Sequence, residues 1–445
     1  MTILHTADWH LGHRLYDRDR TDEHRAALAW LLDTIVREKV ELLIVAGDVF
    51  DVSNPSNQAR ELYYDFLGKL IRTDCAAAVI VGGNHDSPAM LDAPSGLLQS
   101  LRLHVVGAAR QPSDHRAGTQ VQEEVFKIEV GAAGSPAVIV AAVPYLRERD
   151  VRKGTFGEAA DDRMAAIRNG IREHYRLAGE AAEALRTDPA TPMVVTGHLF
   201  ASGAEDNDEK KSHIYQADQD NIEAGQFPGC FDYVALGHVH RAQSVDNKPY
   251  IRYSGSLIPL TFVEGQRPRS VRLVTLGRAG EEVVSRKIEV PYARDLFRIH
   301  GELEAVKEEL RTRTAQALAA RYDSETAGEQ ETDATTQPTS SVLTPWVEIR
   351  IKTDERIPHL RQTLLDVITE VTGDDGRGLP LELIRISTER LSPAPAAAPL
   401  SARQLGELEP EEVFNRLLDG NGTPVATAKE LISDFRELRN WMEDG

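Results

Sequence analysis

Short, wholly apolar runs alternate with amphipathic stretches from residue 1 to about 275. Ile3 to Ala7 opens the series, and Leu42 to Ala46 and Ala77 to Val81 follow; each is too short for a helix and is bounded by turn-forming residues, so each predicts a buried strand. Between them, Ala26, Leu28, Leu31, Leu32, Ile35 and Val36 recur at helical spacing, with Thr21 as the expected N-cap before Asp22 and Glu23. Leu62, Phe66, Leu67 and Leu70 give a second helix, over Asn57 to Ile71, one apolar face. Further strands are predicted at Val125 to Val130, Val138 to Val143, Met193 to Thr196, Tyr233 to Leu236, Ile251 to Tyr253 and Val271 to Leu276, with a helix over Asp161 to Leu185. This alternation is the mark of a layered α/β domain.

From about residue 287 the pattern changes. Strand-like Leu296 to His300, a charged helix over Glu302 to Tyr322, strand-like Trp346 to Ile351, a helix over Ile357 to Val371 and strand-like Leu381 to Ile386 predict a small α+β domain. Within it, Ser324 to Ser341 is rich in Ser, Thr, Glu and Gln and too poor in apolar residues to order itself, so a flexible insertion is expected. The prolines of 392–399 favour an extended linker. Two short amphipathic helices, Glu409 to Leu418 and Ala428 to Met442, are then predicted; they cannot build a large core of their own, and binding a partner is preferred over docking onto the body. The expected organisation is a first domain over 1–285, an α+β capping domain over 286–390 with the insertion at 324–341, a Pro/Ala linker over 391–400 and a helical tail over 401–445.

Composition narrows the function classes. Apolar residues at 41% and charged residues at 27% describe an ordinary globular protein. The net charge of -19 argues against binding nucleic acid through the chain's overall field; bound cations, a basic partner, or the cluster Arg14, Arg18, Arg20 and Arg25 would have to supply the positive charge. Cys75 and Cys230 are far apart and form no C-x-x-C pattern, which suits a reducing compartment. The N-terminus has no basic region followed by an apolar stretch, and no apolar run reaches membrane-spanning length, so a cytoplasmic protein is expected.

Five short motifs each follow a predicted strand: Asp8-Trp9-His10, Gly47-Asp48, Gly83-Asn84-His85-Asp86, Gly197-His198 and Gly237-His238-Val239-His240. Ligands of open α/β sheets bind outside the carboxyl ends of the strands, so these residues are expected to converge there. Imidazoles and carboxylates together suit transition metals. Asp8 and His10, two apart in an extended segment, would reach one ion from the same side, and His238 and His240 repeat the device. Two cations held close together need an anionic bridge, for which Asp48 is the candidate. His85 is then free as a general acid or transition-state stabiliser, with Asp86 to orient it, and Asp51 could support a ligand from behind. His5 and His24 are expected to be packing residues; His13 and His213, in loop-like stretches near motifs, could contact substrate.

With these motifs the sequence resembles the calcineurin-like metallophosphoesterase superfamily, whose pattern runs D-x-H, G-D, G-N-H-D/E, G-H and G-H-x-H. Ala7 to Gly12, Gly47 to Asp51, Ala235 to His240, Arg252 to Ser256 and Pro259 to Phe262 are similar to its DNA double-strand-break repair nucleases. The resemblance implies a four-layer α/β/β/α sandwich with a small α+β capping domain and a helical C-terminal tail. It assigns Asp8, His10 and His240 to one ion and Asn84, His198 and His238 to the other. It implies two Mn2+, with Mg2+ as an alternative, DNA as substrate, and an ATPase partner contacted by the tail from Leu408 to Leu418; the charge cluster, apart from the resemblance, offers Arg14 and Arg18 as phosphate contacts or as a solvated charge run. A homodimer within a heterotetramer, acting at the nucleoid, is the implied assembly. Two other readings stay open: a phosphoesterase for small molecules or phosphoproteins on the same metal site, and a scaffold that anchors the ATPase without cutting, against which the intact ligand set argues.

Overall fold

The computed structural model describes residues 1–109, 120–130, 137–152, 158–202, 222–327, 343–355, 357–373, 378–390, 410–420, 428–429 and 431–436. The chain divides into two compact units, Met1–Arg298 with Ala319–Val347 and Pro380–Ile384, and Ile299–Leu318 with Glu348–Leu379 and Arg385–Gly445.

The first unit begins with β1 (Thr2–Thr6), α1 (Thr21–Arg37), β2 (Leu42–Ala46), α2 (Asn57–Leu70), β3 (Ala77–Val81) and β4 (Leu103–Val106). Every residue of β2 and β3 is buried, as parallel strands covered on both faces must be. A second series follows: β5 (Val125–Glu129), β6 (Ala137–Ala141), α3 (Ala160–Leu185), β7 (Met193–His198), β8 (Tyr233–Gly237), β9 (Gln243–Val245) and β10 (Lys248–Tyr253). The chain then returns to the first sheet with β11 (Ser270–Thr275) and β12 (Val284–Glu289). One six-stranded sheet runs β12, β11, β1, β2, β3, β4 and the other β9, β10, β8, β7, β6, β5. In both, the central strands are parallel and an antiparallel pair closes an edge.

Three apolar cores separate four layers. Leu28, Leu31, Ile35, Phe66 and Leu67 pack α1 and α2 on the outer face of the first sheet. Ile3, Ile44, Val79, Val140, Val194 and Ala235 fill the space between the sheets. Ile167, Ile171, Tyr175 and Ala178 seat α3 on the outer face of the second. The α/β/β/α sandwich expected from the resemblance is the fold of this unit.

Local departures from the sequence reading have physical causes. β4 and β12 were not expected, because Leu103-His104-Val105-Val106 is a run of only four residues and Val284 to Glu289 is half-polar and largely exposed, both at sheet edges. Thr21 is the first helical residue rather than the cap; the Asp19 carboxylate accepts from its N–H at 3.0 Å. The charged helix α4 (Leu303–Ala327) runs past Ser324, so the expected insertion starts as helix, and 328–341 lies outside the described residues.

The α+β elements are β13 (Arg294–Gly301), α4, β14 (Leu343–Lys352), α5 (Leu360–Thr372) and β15 (Glu382–Glu389), with sheet order β13, β14, β15. In the second unit Val306, Leu310, Ile349, Ile351, Leu364 and Ile368 are buried. Its tail helix α6 (Pro410–Gly420) stacks Phe414 on Phe435, ring centroids 4.4 Å apart. The expected linker, 391–400, and the predicted second tail helix beyond 436 lie outside the described residues, as does His213.

His5 and His24 are packing residues. His5 is buried between the Tyr233 hydroxyl at 3.0 Å and the Leu236 carbonyl at 3.2 Å. His24 on α1 is buried with neither ring nitrogen hydrogen-bonded, and burial, aided by the charge of Arg20, pushes its pKa down to about 3. A base whose folded-state pKa lies below its unfolded value stabilises the fold above pH 6.5 and loses that contribution as the pH falls toward 3, because only the unfolded chain takes up the proton. We therefore expect His24→Leu to flatten the acid branch of the stability curve, by about 2 kcal/mol between pH 7 and pH 5. Urea midpoints at both pH values measure this; parallel losses in variant and parent would contradict it.

Candidate metal centre

All five motifs meet at one place, at the carboxyl ends of β1, β2, β3, β7 and β8. The reason they do so is partly different from the expected one. Asp8 and His10 lie past the end of β1, and their φ angles of 51° and 47° put both in the left-handed region, so strand alternation does not aim them. Asp48 and His238 share that backbone region, with φ of 49° and 96°. Such residues persist only where the surroundings over-determine them. Here the turns after β1 and β2 hold one another: Asp8 N–H donates to Gly47 O at 3.0 Å, His10 N–H to Asp48 O at 3.0 Å and Leu11 N–H to Val49 O at 2.9 Å. Gly47 itself has φ of 90°, and a Cβ there would fall 2.1 Å from His198 Nδ1, so the motif glycine is fixed by conformation and by space.

Among the described residues, three groups of side chains could each hold an ion: Asp8, His10 and His240; Asp8, Asp48 and His198; and His10, Asp51 and His85. Asp48 Oδ2 is 3.2 Å from His198 Nε2 and 3.6 Å from His10 Nε2. Asn84 Oδ1 lies 3.0 Å from both His198 Nε2 and His238 Nδ1. Asp8 Oδ1 accepts from His238 N–H at 2.9 Å, whereas Asp8 Oδ2 and His10 Nε2 are buried with no hydrogen-bond partner. Buried polar atoms without partners are costly, and Asp8, His10 and His240 bring ligand atoms within 4.8 Å of one another. The donors therefore fit divalent cations.

The imidazoles are oriented from behind, as in metal sites generally. His198 Nδ1 donates to Ala46 O at 2.9 Å. His240 Nδ1 is 3.1 Å from Glu264 Oε1, and His10 Nδ1 is 3.2 Å from Asp51 Oδ1 at ion-pair distance. In all three rings Nε2 is left for the centre. Charge follows the same logic. Burial opposes protonation of His198, but Asp48 outweighs it and raises the pKa to about 9. Burial would raise Asp48, yet His198, His10 and His85 hold it well below the usual carboxylate range. The protons held here occupy the electrostatic place of cations.

Glu264 escaped the sequence reading. It lies in a 3-10 turn, Glu264–Gln266, and its buried carboxylate also accepts from Leu260 N–H at 3.0 Å and faces Arg269 and Ser256. Burial pushes it up, but His240 and Arg269 bring it down to about 2. Only its neighbourhood with Pro259 to Phe262 hinted at a role.

Asp86 does not orient His85. Its two oxygens accept from the backbone N–H groups of Gly83 at 2.8 Å, Phe50 at 2.9 Å and Val49 at 3.1 Å, which ties the third motif to the second. Burial, then the charge of Asp48, lifts its pKa to about 6 against those three bonds. His85 is held instead by the Asp51 carbonyl, 2.7 Å from Nδ1, and its N–H donates to Asp48 Oδ1 at 2.9 Å. Of the arginine cluster, Arg20 is buried and bonded to Glu23 and Pro259 O, so it is a structural tie. Arg18 pairs with Glu382 at 2.8 Å, Arg25 with Asp22, and Arg14 is exposed in a two-strand hairpin. His13 is partly buried and, through burial and the charge of Arg20, lowered to about 3.

The chain belongs to the calcineurin-like phosphoesterase family, whose sequence model matches residues 1–242: it is a phosphoester hydrolase of the metal-dependent type. A second family model, described as the type 5 capsule protein repressor C-terminal domain, matches residues 292–421. Within this class the chain falls with the D subunits of nuclease SbcCD. It is 34% identical to that of Escherichia coli (strain K12) over 422 residues, 94% of this chain and 92% of that one. It is also 34% identical to that of Rhodobacter capsulatus over 278 residues, 62% and 66% of the two chains, and 30% identical to that of Bacillus subtilis over 294 residues, 65% and 69%.

Glu264→Gln keeps the shape but removes the charge behind His240. We expect a roughly 10- to 100-fold loss of affinity for one of two bound metal ions, with the other nearly unaffected, as read by calorimetric titration of the ion-free protein with Mn2+. Two unchanged affinities would show that Glu264 serves only the local turn.

Proposed function

We propose that this chain is the nuclease subunit of a DNA end-processing enzyme: a 3′-to-5′ exonuclease on duplex ends and an endonuclease at hairpins and single strands, working with an SbcC-type ATPase in repair and recombination. The observation that carries the reading is Asp48, whose carboxylate stands between His10 at 3.6 Å and His198 at 3.2 Å. In this reading Asp8, His10 and His240 would hold one Mn2+ and Asn84, His198 and His238 the other, with Asp48 the carboxylate available to both and Mg2+ as the substitute.

When bound, such a pair supplies the positive charge that draws in a phosphodiester and acidifies water. The protein's own groups then act on the bound strand. Because a carbonyl only accepts, the 2.7 Å contact to Asp51 O fixes the proton of His85 on Nδ1. Nε2 is thus the atom that gains and gives the second proton, and we assign it to protonating the leaving oxygen. Asp51 positions two rings at once, His10 through its carboxylate and His85 through its carbonyl. Asp86 acts only by fixing the backbone between these motifs.

Similarity to the Escherichia coli protein extends over 94% of this chain, well beyond the phosphoesterase match, and this supports a subunit over a phosphatase for small molecules. The same reading gives 286–390 a capping role and the helices of 401–445 the ATPase contact, within a heterotetramer containing two copies of this chain, in the cytoplasm beside the nucleoid.

Two substitutions separate the roles. His85→Ala is expected to bind two Mn2+ while losing on the order of 100-fold or more in cleavage of a labelled hairpin duplex, whereas Asp48→Asn should bind fewer than two. Full cleavage by the His85 variant would remove the acid assignment. Hydrolysis of a small phosphodiester without hairpin cleavage, even with the ATPase subunit present, would favour a small-molecule enzyme.

A further inference from the structure

We propose that a basic cavity beside His240 binds the phosphodiester adjacent to the one being cut; the proposal rests on the nuclease reading and specifies how a polymer is told from a small ester. The cavity has a volume of about 250 Å³ and shares His240 with the metal centre. Among the described residues, Arg241, Arg267, Arg269 and Lys287 line it and no aspartate or glutamate does. Acidic residues outnumber basic ones 70 to 51 in this chain, so four cations lining one cavity are a local inversion of its composition, although Glu264 stands behind Arg269 at 3.4 Å and Glu289 beside Lys287 at 3.1 Å.

Size and chemistry select a phosphate. The volume is below the roughly 300–1,000 Å³ of pockets for drug-sized ligands and suits a sugar-phosphate unit. Arg269 is the frame: buried, it donates to the His240 carbonyl at 2.9 Å and to the Glu264 carbonyl at 3.0 Å, tying the cavity wall to the metal centre. Ser270, also in the wall, is buried with its hydroxyl unpartnered, and a phosphate oxygen would accept from it. Arg267 and Lys287 are exposed. Lys287 pairs with Glu289 at 3.1 Å, a surface contact weak enough to yield to a phosphate.

The function follows from connectivity. A nucleic-acid strand carries a negative charge at every nucleotide, so a phosphate held at the metal centre brings its neighbour to the cavity that borders on His240. A phosphomonoester of a small metabolite has no such neighbour. The cavity therefore adds binding that only a polymeric substrate uses.

The test uses full-length protein with Mn2+, assembled with its ATPase subunit, and the double variant Arg267→Ala, Lys287→Ala, whose exposed positions leave folding intact. kcat/KM is measured on a labelled hairpin duplex and on bis(p-nitrophenyl) phosphate over a series of salt concentrations. For DNA it is expected to fall about tenfold more than for the small diester, and its log–log salt slope to become shallower by about one to two. The charge-conserving variant Arg267→Lys, Lys287→Arg should recover most of the loss. Equal losses on both substrates, or an unchanged slope, would overturn the subsite. If inorganic phosphate inhibits the parent and that inhibition alone weakens in the variant, the cavity serves free phosphate and the proposal is wrong. A parent enzyme that hydrolyses the small diester but cuts no DNA refutes the nuclease reading, and the subsite with it; DNA cleavage equal in parent and variant refutes the subsite alone.

Discussion

His198 crosses from one sheet to the other: standing at the end of β7, it donates to the carbonyl of Ala46 at the end of β2, 2.9 Å away. That bond requires the two sheets to approach closely at their carboxyl ends. At Gly237 the approach is so tight that a Cβ would lie 1.9 Å from the Ala46 carbonyl oxygen. Apolar packing between the sheets brings them together over their whole area, but the glycines at the strand ends decide how near the catalytic turns come. From this single constraint follow the contact of Asp48 with His198, the meeting of Asn84 with two histidines, and the sharing of ligands between halves of the domain that each sheet alone could not form.

A cluster of buried carboxylates and imidazoles is an expensive object, because each charge is removed from water. The protein answers in two ways. Backbone donors and acceptors fix the orientation of the rings and of Asp86, so that few conformations remain to be selected when ions bind. The residual negative charge is left at the centre, where it holds protons on His10 and His198 above their ordinary range. The same excess makes the place attractive to divalent cations.

The acidic chain and an anionic substrate are reconciled by locality rather than by net charge. Screening confines exposed charges to about 8–10 Å at physiological salt, so the surface far from the centre contributes little to a bound strand. On the proposed reading, the groups that matter are cations held in the centre and the basic side chains bordering His240. Arg20, which belonged to an apparent basic cluster, is instead consumed inside the fold by Glu23 and Pro259. Positive charge in a sequence is thus no guide to positive charge on a surface.

The strand ends and the motifs after them were legible in the sequence because both depend on neighbours within a few residues: apolar runs of strand length, a glycine, then a ligand-type side chain. The alternation of strands and helices sufficed for the layers, and the order β-α-β-α-β for the α+β elements. Edge strands β4 and β12 were not legible, since a four-residue run and a half-polar one become strands only when the sheet offers a paired edge. Asp8 and His10 meet the other motifs as expected but on a different backbone, because a left-handed turn is stabilised by hydrogen bonds to Gly47 and Asp48, some forty residues away. Distance along the chain explains the other cases too. Glu264 reaches His240 across 24 residues, and Asp86 joins Val49 and Phe50 across more than 30. Residue types that can ligate a metal are written locally; the partners that orient them are chosen by packing, and only the folded chain brings those partners within hydrogen-bonding reach.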